Sequence, residues 1–121
     1  MRLLLLEDSD TDAAVLAAAV RAGLGPQAVV ERFTTLQAAC EAAARGGWTA
    51  ALVDLTVDDS LGLTTLARLR EKAPGLPILV VSGERDEIIR EEALAAGAKA
   101  FLLKGSLQPA ALAAAVNAAL S

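Results

Sequence analysis

The chain has no histidine and no tyrosine, a single cysteine, and only one tryptophan and two phenylalanines among 121 residues. Without histidine it can build neither imidazole metal sites nor Ser-His or Cys-His nucleophilic systems, and it cannot itself carry a phosphohistidine. A lone cysteine closes no internal disulfide; Cys40 lies in an Ala/Leu helical pattern and reads as an ordinary small buried side chain. Excess positive charge is lacking too. The net charge of −4 argues against direct nucleic-acid binding, which calls for a clustered Lys/Arg face. Although 55 % of the residues are hydrophobic, no apolar stretch approaches the roughly 20 residues of a membrane-spanning helix. The apolar run at residues 3–6 meets Glu7 and Asp8 at once, so it does not read as a cleavable signal. A cytoplasmic chain with no membrane partner is the expectation, and its length suits one compact domain over residues 1–121.

What the chain does have is a set of polar residues placed where strongly apolar runs stop. Glu7 and Asp8 follow residues 3–6, Asp54 follows 50–53, Ser82 follows 78–81, and Lys104 follows 101–103. Short apolar runs alternating with longer helical patterns predict parallel strands, and such sheets keep their reactive groups beyond the strands' carboxyl ends. Three carboxylates, a hydroxyl and an ammonium would converge there. Hard oxygen ligands suit a divalent cation, while a hydroxyl and an ammonium suit phosphoryl oxygens.

The pattern predicts strands at residues 3–6, 28–33, up to 54, 78–82 and 100–103. Between and after them it predicts helices from about 9–11 to 22, then at 35–45, 61–73, 86–96 and 109–120. Ser9, Asp10 or Thr11 can cap the first helix, and Gly23, Gly25 and Pro26 are expected to end it. Pro109 suits a first helical turn. Five strand-helix units favour a doubly wound α/β sheet with helices on both faces, a flavodoxin-like fold. Periodicity alone leaves the strand order open. The order 2-1-3-4-5 would set the ends of strands one, three, four and five around one switch point.

Taken together, Glu7-Asp8, Asp54 with Gly62 eight positions later, Ser82-Gly83, and Phe101-Leu-Leu-Lys104 resemble the receiver domain of two-component response regulators, over essentially the whole chain. The resemblance implies the order 2-1-3-4-5 and a signalling switch rather than a turnover enzyme. It makes Asp54 the phosphoacceptor, supplied by a histidine kinase or a histidine phosphotransfer protein. Mg²⁺ would be held by Glu7, Asp8, Asp54 and the Thr56 backbone carbonyl. Lys104 would pair with Asp54 at rest and with a phosphoryl oxygen afterwards, Ser82 would donate to the phosphoryl group, and Phe101 would be an aromatic switch. An output protein would be met through the face of helix four, strand five and helix five, where Ile88, Ile89, Arg90, Glu91 and Glu92 lie. A homodimer stays open.

Two departures from that family's pattern stand out. Gly105 replaces the proline that commonly follows the lysine, which makes a trans turn the expectation because a non-proline cis bond costs about 3 kcal/mol. Asp58 replaces a common proline and, with Asp59 and Ser60 behind it, is expected to add negative charge near the site. Two other readings compete. The segment Glu7-Asp8-Ser9-Asp10-Thr11-Asp12 partly resembles the Asp-x-Asp motif of haloacid-dehalogenase-type phosphatases, whose nucleophile would be Asp8. A pseudo-receiver would keep the fold as a binding module without phosphate chemistry.

Overall fold

The computed structural model describes residues 1–121. Five strands alternate with five helices: β1 (Arg2–Leu6), α1 (Asp10–Leu24), β2 (Val29–Phe33), α2 (Leu36–Arg45), β3 (Ala50–Asp54), α3 (Leu63–Lys72), β4 (Ile78–Ser82), α4 (Glu87–Ala95), β5 (Ala100–Leu103) and α5 (Pro109–Ala119). All strand pairs are parallel, in the order β2-β1-β3-β4-β5. This is the flavodoxin-like doubly wound architecture.

Strand side chains alternate between faces, so each apolar run feeds two cores. Leu4, Leu6, Ala51, Val53, Ile78 and Val80 pack beneath α2, α3 and α4. Leu3, Leu5, Ala50, Leu52, Leu79 and Val81 pack beneath α1 and α5. Cys40 takes the expected place in the first of these cores. Burial on both faces explains why β1, β3 and β4 are continuous apolar runs rather than alternating ones.

Helix starts follow local chemistry. The Ser9 hydroxyl accepts from the Asp12 N–H, Thr35 from the Ala38 N–H, and Asp86 from the N–H groups of Ile88 and Ile89, which satisfies donors that lack helical partners. One boundary differs from expectation. Gly23 does not end α1, which continues to Leu24 and is closed by Gly25 at φ 92°. Gly23 is there for proximity, since a Cβ at this position would lie 2.3 Å from the Pro109 carbonyl oxygen at the start of α5. The other element ends fall within two residues of the predicted ones.

The register fixes the working edge. Leu6 pairs with Val53, Asp54 with Val81 and Ser82 with Leu103. Glu7, Asp54, Ser82 and Lys104 therefore emerge side by side at the carboxyl end of four adjacent strands.

Candidate functional site

Lys104 opens a short 3₁₀ turn, Lys104–Ser106, directly after β5. Every peptide bond is trans, so Gly105 continues the chain without the alternative geometry, as the sequence suggested. The Lys104 side chain, 12 % exposed, reaches back along the strand ends. Its Nζ donates to Asp54 Oδ2 at 2.6 Å and to Asp12 Oδ2 at 3.1 Å, and it stands 2.5 Å from Glu7 Oε1. The Glu7 contact is an ion pair whose angles do not make a hydrogen bond, so Oε1 is buried without a donor. Glu7 Oε2 accepts from the Ser9 N–H at 3.2 Å.

The remaining contacts set the carboxylates in place. The Thr56 N–H donates to Asp54 Oδ1 at 2.9 Å, which folds the loop after β3 over the carboxylate and orients its other oxygen toward Lys104. Arg32, at the end of β2, donates from Nε to the Glu7 carbonyl at 2.9 Å and from its guanidinium to Asp10 at 2.7 Å. It braces the loop that carries Glu7 and Asp8. No cation comes within ion-pair distance of Asp8.

Negative charge exceeds positive here, and the titration of the groups reflects it. Burial pushes the Glu7 carboxyl above its usual range, opposed by Lys104 and the Ser9 N–H and reinforced by the charge of Asp54. Asp8 is pushed up by burial first and by the facing Asp58 charge second. Burial on its own would lower Lys104, but the contacts with Asp54, Glu7 and Asp12 outweigh it and hold the ammonium above the normal lysine value. The site thus has more anion than one ammonium can offset.

An oxygen-only donor set with surplus charge fits a hard divalent cation. Glu7 Oε1, buried and ion-paired with Lys104 but without a hydrogen bond, and the repulsion of Asp54 with both Glu7 and Asp8 are what such an ion relieves. No three acidic side chains stand close enough together to hold a metal ion by themselves, so a bound Mg²⁺ would need backbone oxygen or its own waters to complete its shell. Thr56 lies on the same rim with its N–H engaged by Asp54.

Ser82 and Phe101 join Asp54 around one cavity of about 200 Å³, lined also by Thr56, Gly62, Glu84, Asp86 and Ile89. The Ser82 hydroxyl is turned into its own loop, donating to the Glu84 carbonyl at 2.9 Å and accepting from the Glu84 N–H at 3.2 Å. Phe101 also borders a second cavity of about 170 Å³ with Arg85, Asp86, Glu87 and Arg90. A larger cavity, about 540 Å³, lies between α2 and α3 and includes Asp59, Cys40 and Arg68 but none of these groups.

All seven residues singled out from the sequence thus lie at one edge, with Lys104 bonded to Asp54 as expected. Sequence reasoning missed Asp12, whose contact with Lys104 spans 92 positions; an acidic residue in the first turn after Glu7-Asp8 was the available signal. Arg32 gave no signal, because its partners are a backbone carbonyl and a distant carboxylate. The grouping of Asp58 and Asp59 was half right. Asp58 faces Asp8, but the Asp59 carboxylate turns away and accepts from the N–H groups of Leu36 and Gln37 at 2.7 and 3.0 Å, acting as a cap for α2.

The acidic edge, with its ammonium tied to a strand-end carboxylate, thus sits at the carboxyl end of a parallel sheet of order β2-β1-β3-β4-β5. The family model for the response regulator receiver domain matches residues 3–117, and the chain belongs to that family. It is a receiver domain of two-component signalling, a switch module. Among solved structures, a protein described as a response regulator from Chloroflexus aurantiacus superposes with a TM-score of 0.85 at 26 % identity, covering 98 % of this chain and 96 % of that one. The receiver domain of a sensor histidine kinase from Pseudomonas aeruginosa, with a magnesium ion coordinated in its active-site cleft, gives 0.82 at 23 % identity over 98 % and 96 % of the two chains. The chemotaxis protein CheY4 of Vibrio cholerae gives 0.79 at 19 % identity over 96 % and 95 %. At such identities the last two support the fold alone. A glycerol metabolism activator from Pseudomonas putida is 38 % identical over 55 residues, a match spanning 46 % of this chain and only 25 % of that relative's length. No helix of the chain is long and apolar enough to cross a membrane.

Proposed function

We propose that the chain accepts a phosphoryl group on Asp54 from a phosphohistidine of a histidine kinase or histidine phosphotransfer protein and thereby switches a protein-interaction face. The observation that carries this reading is the 2.6 Å bond from Lys104 Nζ to Asp54 Oδ2 at the end of β3, which supports Asp54 over Asp8, beside which no cation lies. An Asp54 carboxylate oxygen attacks phosphorus, the P–N bond to the donor imidazole breaks, and the nitrogen keeps the electron pair and takes a proton. Water later attacks the same phosphorus, releasing inorganic phosphate and restoring the carboxylate.

Each neighbouring group has a task in that cycle. Glu7, Asp8, Asp54 and the Thr56 carbonyl would hold Mg²⁺, which when bound offsets the negative charge that otherwise repels a phosphoryl group. Lys104 stays with Asp54 and turns to a phosphoryl oxygen, as a compact charge on a flexible stem can. Ser82 leaves Glu84 and donates to a second oxygen. The vacated space lets Phe101 move from the outer cavity beside Arg90 toward the inner one beside Asp54 and Ser82, and the α4–β5–α5 face is altered. Ile88 is 69 % exposed on that face and is the apolar centre for an output protein or for a second copy in a homodimer. Moving such an equilibrium from 1:99 to 99:1 takes about 5.5 kcal/mol of differential stabilisation, within reach of several charge-assisted contacts. Self-phosphorylation and its reversal are the only chemistry assigned, with a cytoplasmic location and no nucleic-acid or membrane partner.

The test is mass mapping of the acyl phosphate after treatment with acetyl phosphate and Mg²⁺. Label on Asp54, lost in Asp54→Asn and absent with chelator, is expected. Label on Asp8 would favour the dehalogenase-type reading, and no label under any condition would favour a pseudo-receiver.

A further inference from the structure

The Lys104 ammonium has three N–H donors, and three carboxylates surround it: Asp54 at 2.6 Å, Glu7 at 2.5 Å and Asp12 at 3.1 Å. The function proposed above uses the first two and leaves Asp12 unexplained. Asp12 sits in the first turn of α1, where its N–H is held by Ser9. It lines a different cleft from the one containing Asp54, about 390 Å³ in volume and bordered by Val15, Leu16, Gly83, Gly105 and Lys104 itself. The ammonium therefore stands between two clefts and is bonded into both.

A phosphoryl group on Asp54 brings new acceptor oxygens to an ammonium already ringed by three carboxylates, two of them hydrogen-bonded and the third an ion pair at 2.5 Å. One present contact has to yield. Glu7 is 1 % exposed, and Lys104 is the one cation at its orphaned oxygen, so withdrawing the ammonium would leave a buried charge alone. Asp54 is the phosphorylated group itself. Asp12 is 44 % exposed, its contact is the longest of the three, and water can replace the ammonium there at little cost.

We propose that Asp12 is a positioning residue that tethers Lys104 toward α1 in the unphosphorylated chain and releases it when Lys104 bonds a phosphoryl oxygen. The tether works against the phosphorylated state, because forming that state breaks the Asp12 contact. This rests on Asp54 being the phosphoacceptor. Asp12 acts only through Lys104 and touches no reacting atom.

The experiment measures binding of trifluoroberyllate, a noncovalent stand-in for the phosphoryl group, in the presence of Mg²⁺ by calorimetry. Asp12→Ala is expected to bind it about threefold more tightly than the parent chain, the weight of a part-exposed ion pair, and Asp12→Glu to return to the parent value. In a Lys104→Met background the same Asp12→Ala change is expected to do nothing. An equal gain with and without Lys104 would reduce Asp12 to general charge repulsion, and identical affinities of parent and Asp12→Ala would remove its role altogether; both overturn the tether. If Asp12→Ala unfolds, Asp12→Asn keeps size and polarity at the helix start and reads the same quantity. The two hypotheses fail separately: a parent chain that takes no phosphoryl label on Asp54 overturns the acceptor reading and the tether with it, whereas a labelled parent with an inert Asp12 overturns the tether alone.

Discussion

Asp59 in the β3–α3 loop caps Leu36 at the start of α2, its Oδ1 accepting the Leu36 N–H at 2.7 Å across a gap of 23 positions. The same loop begins at the Asp54 carboxylate, and the paired backbone hydrogen bonds between Val57 and Ser60 tighten it into a turn. The turn sends its two carboxylates different ways, Asp58 to the site and Asp59 to α2.

Removing the Asp59 cap should destabilise the chain by about 1 kcal/mol at neutral pH, the usual weight of an N-cap side chain. The bonds from Leu36 and Gln37 hold the Asp59 carboxyl below its ordinary value. Its contribution is therefore complete above the unfolded value of about 3.9 and is lost as pH falls through the lower folded one. Urea unfolding of parent and Asp59→Ala should give curves separated at pH 7 that converge toward pH 3. A separation independent of pH would mean that the carboxylate's charge is not what caps α2.

Lys104→Met leaves Glu7 buried without its cation. The metal-free variant should lose about 3 kcal/mol at pH 7, as when one partner of a buried ion pair is deleted. Glu7 already titrates above its ordinary value through burial, so its ionised form costs stability at neutral pH. That cost is relieved as pH falls through the raised value, and the variant should regain stability relative to the parent between pH 7 and pH 5. The raised Lys104 value has the opposite consequence in the parent, whose lysine contribution is complete below about 10.4 and lost only as pH rises through the higher folded value. Thermal unfolding midpoints across pH would contradict this if the variant gained nothing in acid.

Asp58 faces Asp8 and helps burial raise its carboxyl. Asp58→Ala should weaken Mg²⁺ binding at pH 7 by about fivefold, corresponding to roughly 1 kcal/mol for an exposed charge. It should also lower the pH at which binding sets in, because Asp8 then loses its proton more readily. Calorimetric titrations at pH 5, 6 and 7 separate the two effects, and an unchanged pH profile would place Asp58 too far from Asp8 to matter.

The backbone plan was readable because it depends on local patterns. Continuous apolar runs such as residues 3–6 and 78–81 mark strands buried on both faces, and parallel strands force their ends to one edge, so the grouping of Glu7, Asp54, Ser82 and Lys104 is legible in the sequence. Contacts made only by tertiary approach were not readable. Gly23 looked like a helix stop because glycine's commonest role near a helix end is local; its actual role depends on Pro109, 86 positions away. Asp12 and Arg32 owe their places to partners that sequence spacing does not reveal, and Asp59 looked like site charge because nothing local betrays the α2 amides it caps.

Gly23→Ala tests that distinction between propensity and packing. Alanine favours a helix over glycine by about 1 kcal/mol, but its Cβ would meet the Pro109 carbonyl at 2.3 Å. That atom belongs to the backbone and cannot rotate aside, and overpacking of this kind costs about 1–3 kcal/mol. The clash should prevail, giving a net loss of about 1 kcal/mol and a melting point lower by about 4 °C. A stabilised variant would show that α1 and α5 separate freely.

Ser82 offers the sharpest contrast between resting and phosphorylated states. At rest its hydroxyl bonds only the Glu84 backbone in an exposed loop, so Ser82→Ala should change metal-free stability by less than about 1 kcal/mol. In the phosphorylated state the same hydroxyl would donate to a charged oxygen, a bond with a net weight of about 1.5–3 kcal/mol. Trifluoroberyllate affinity in the presence of Mg²⁺ should then fall at least tenfold. Ser82→Thr should retain it, because the donor is kept and only a methyl group is added beside a cavity of about 200 Å³. If Ser82→Ala bound the phosphoryl mimic as well as the parent does, the hydroxyl would stay with Glu84 in both states, and Phe101 would have no vacated space into which to move.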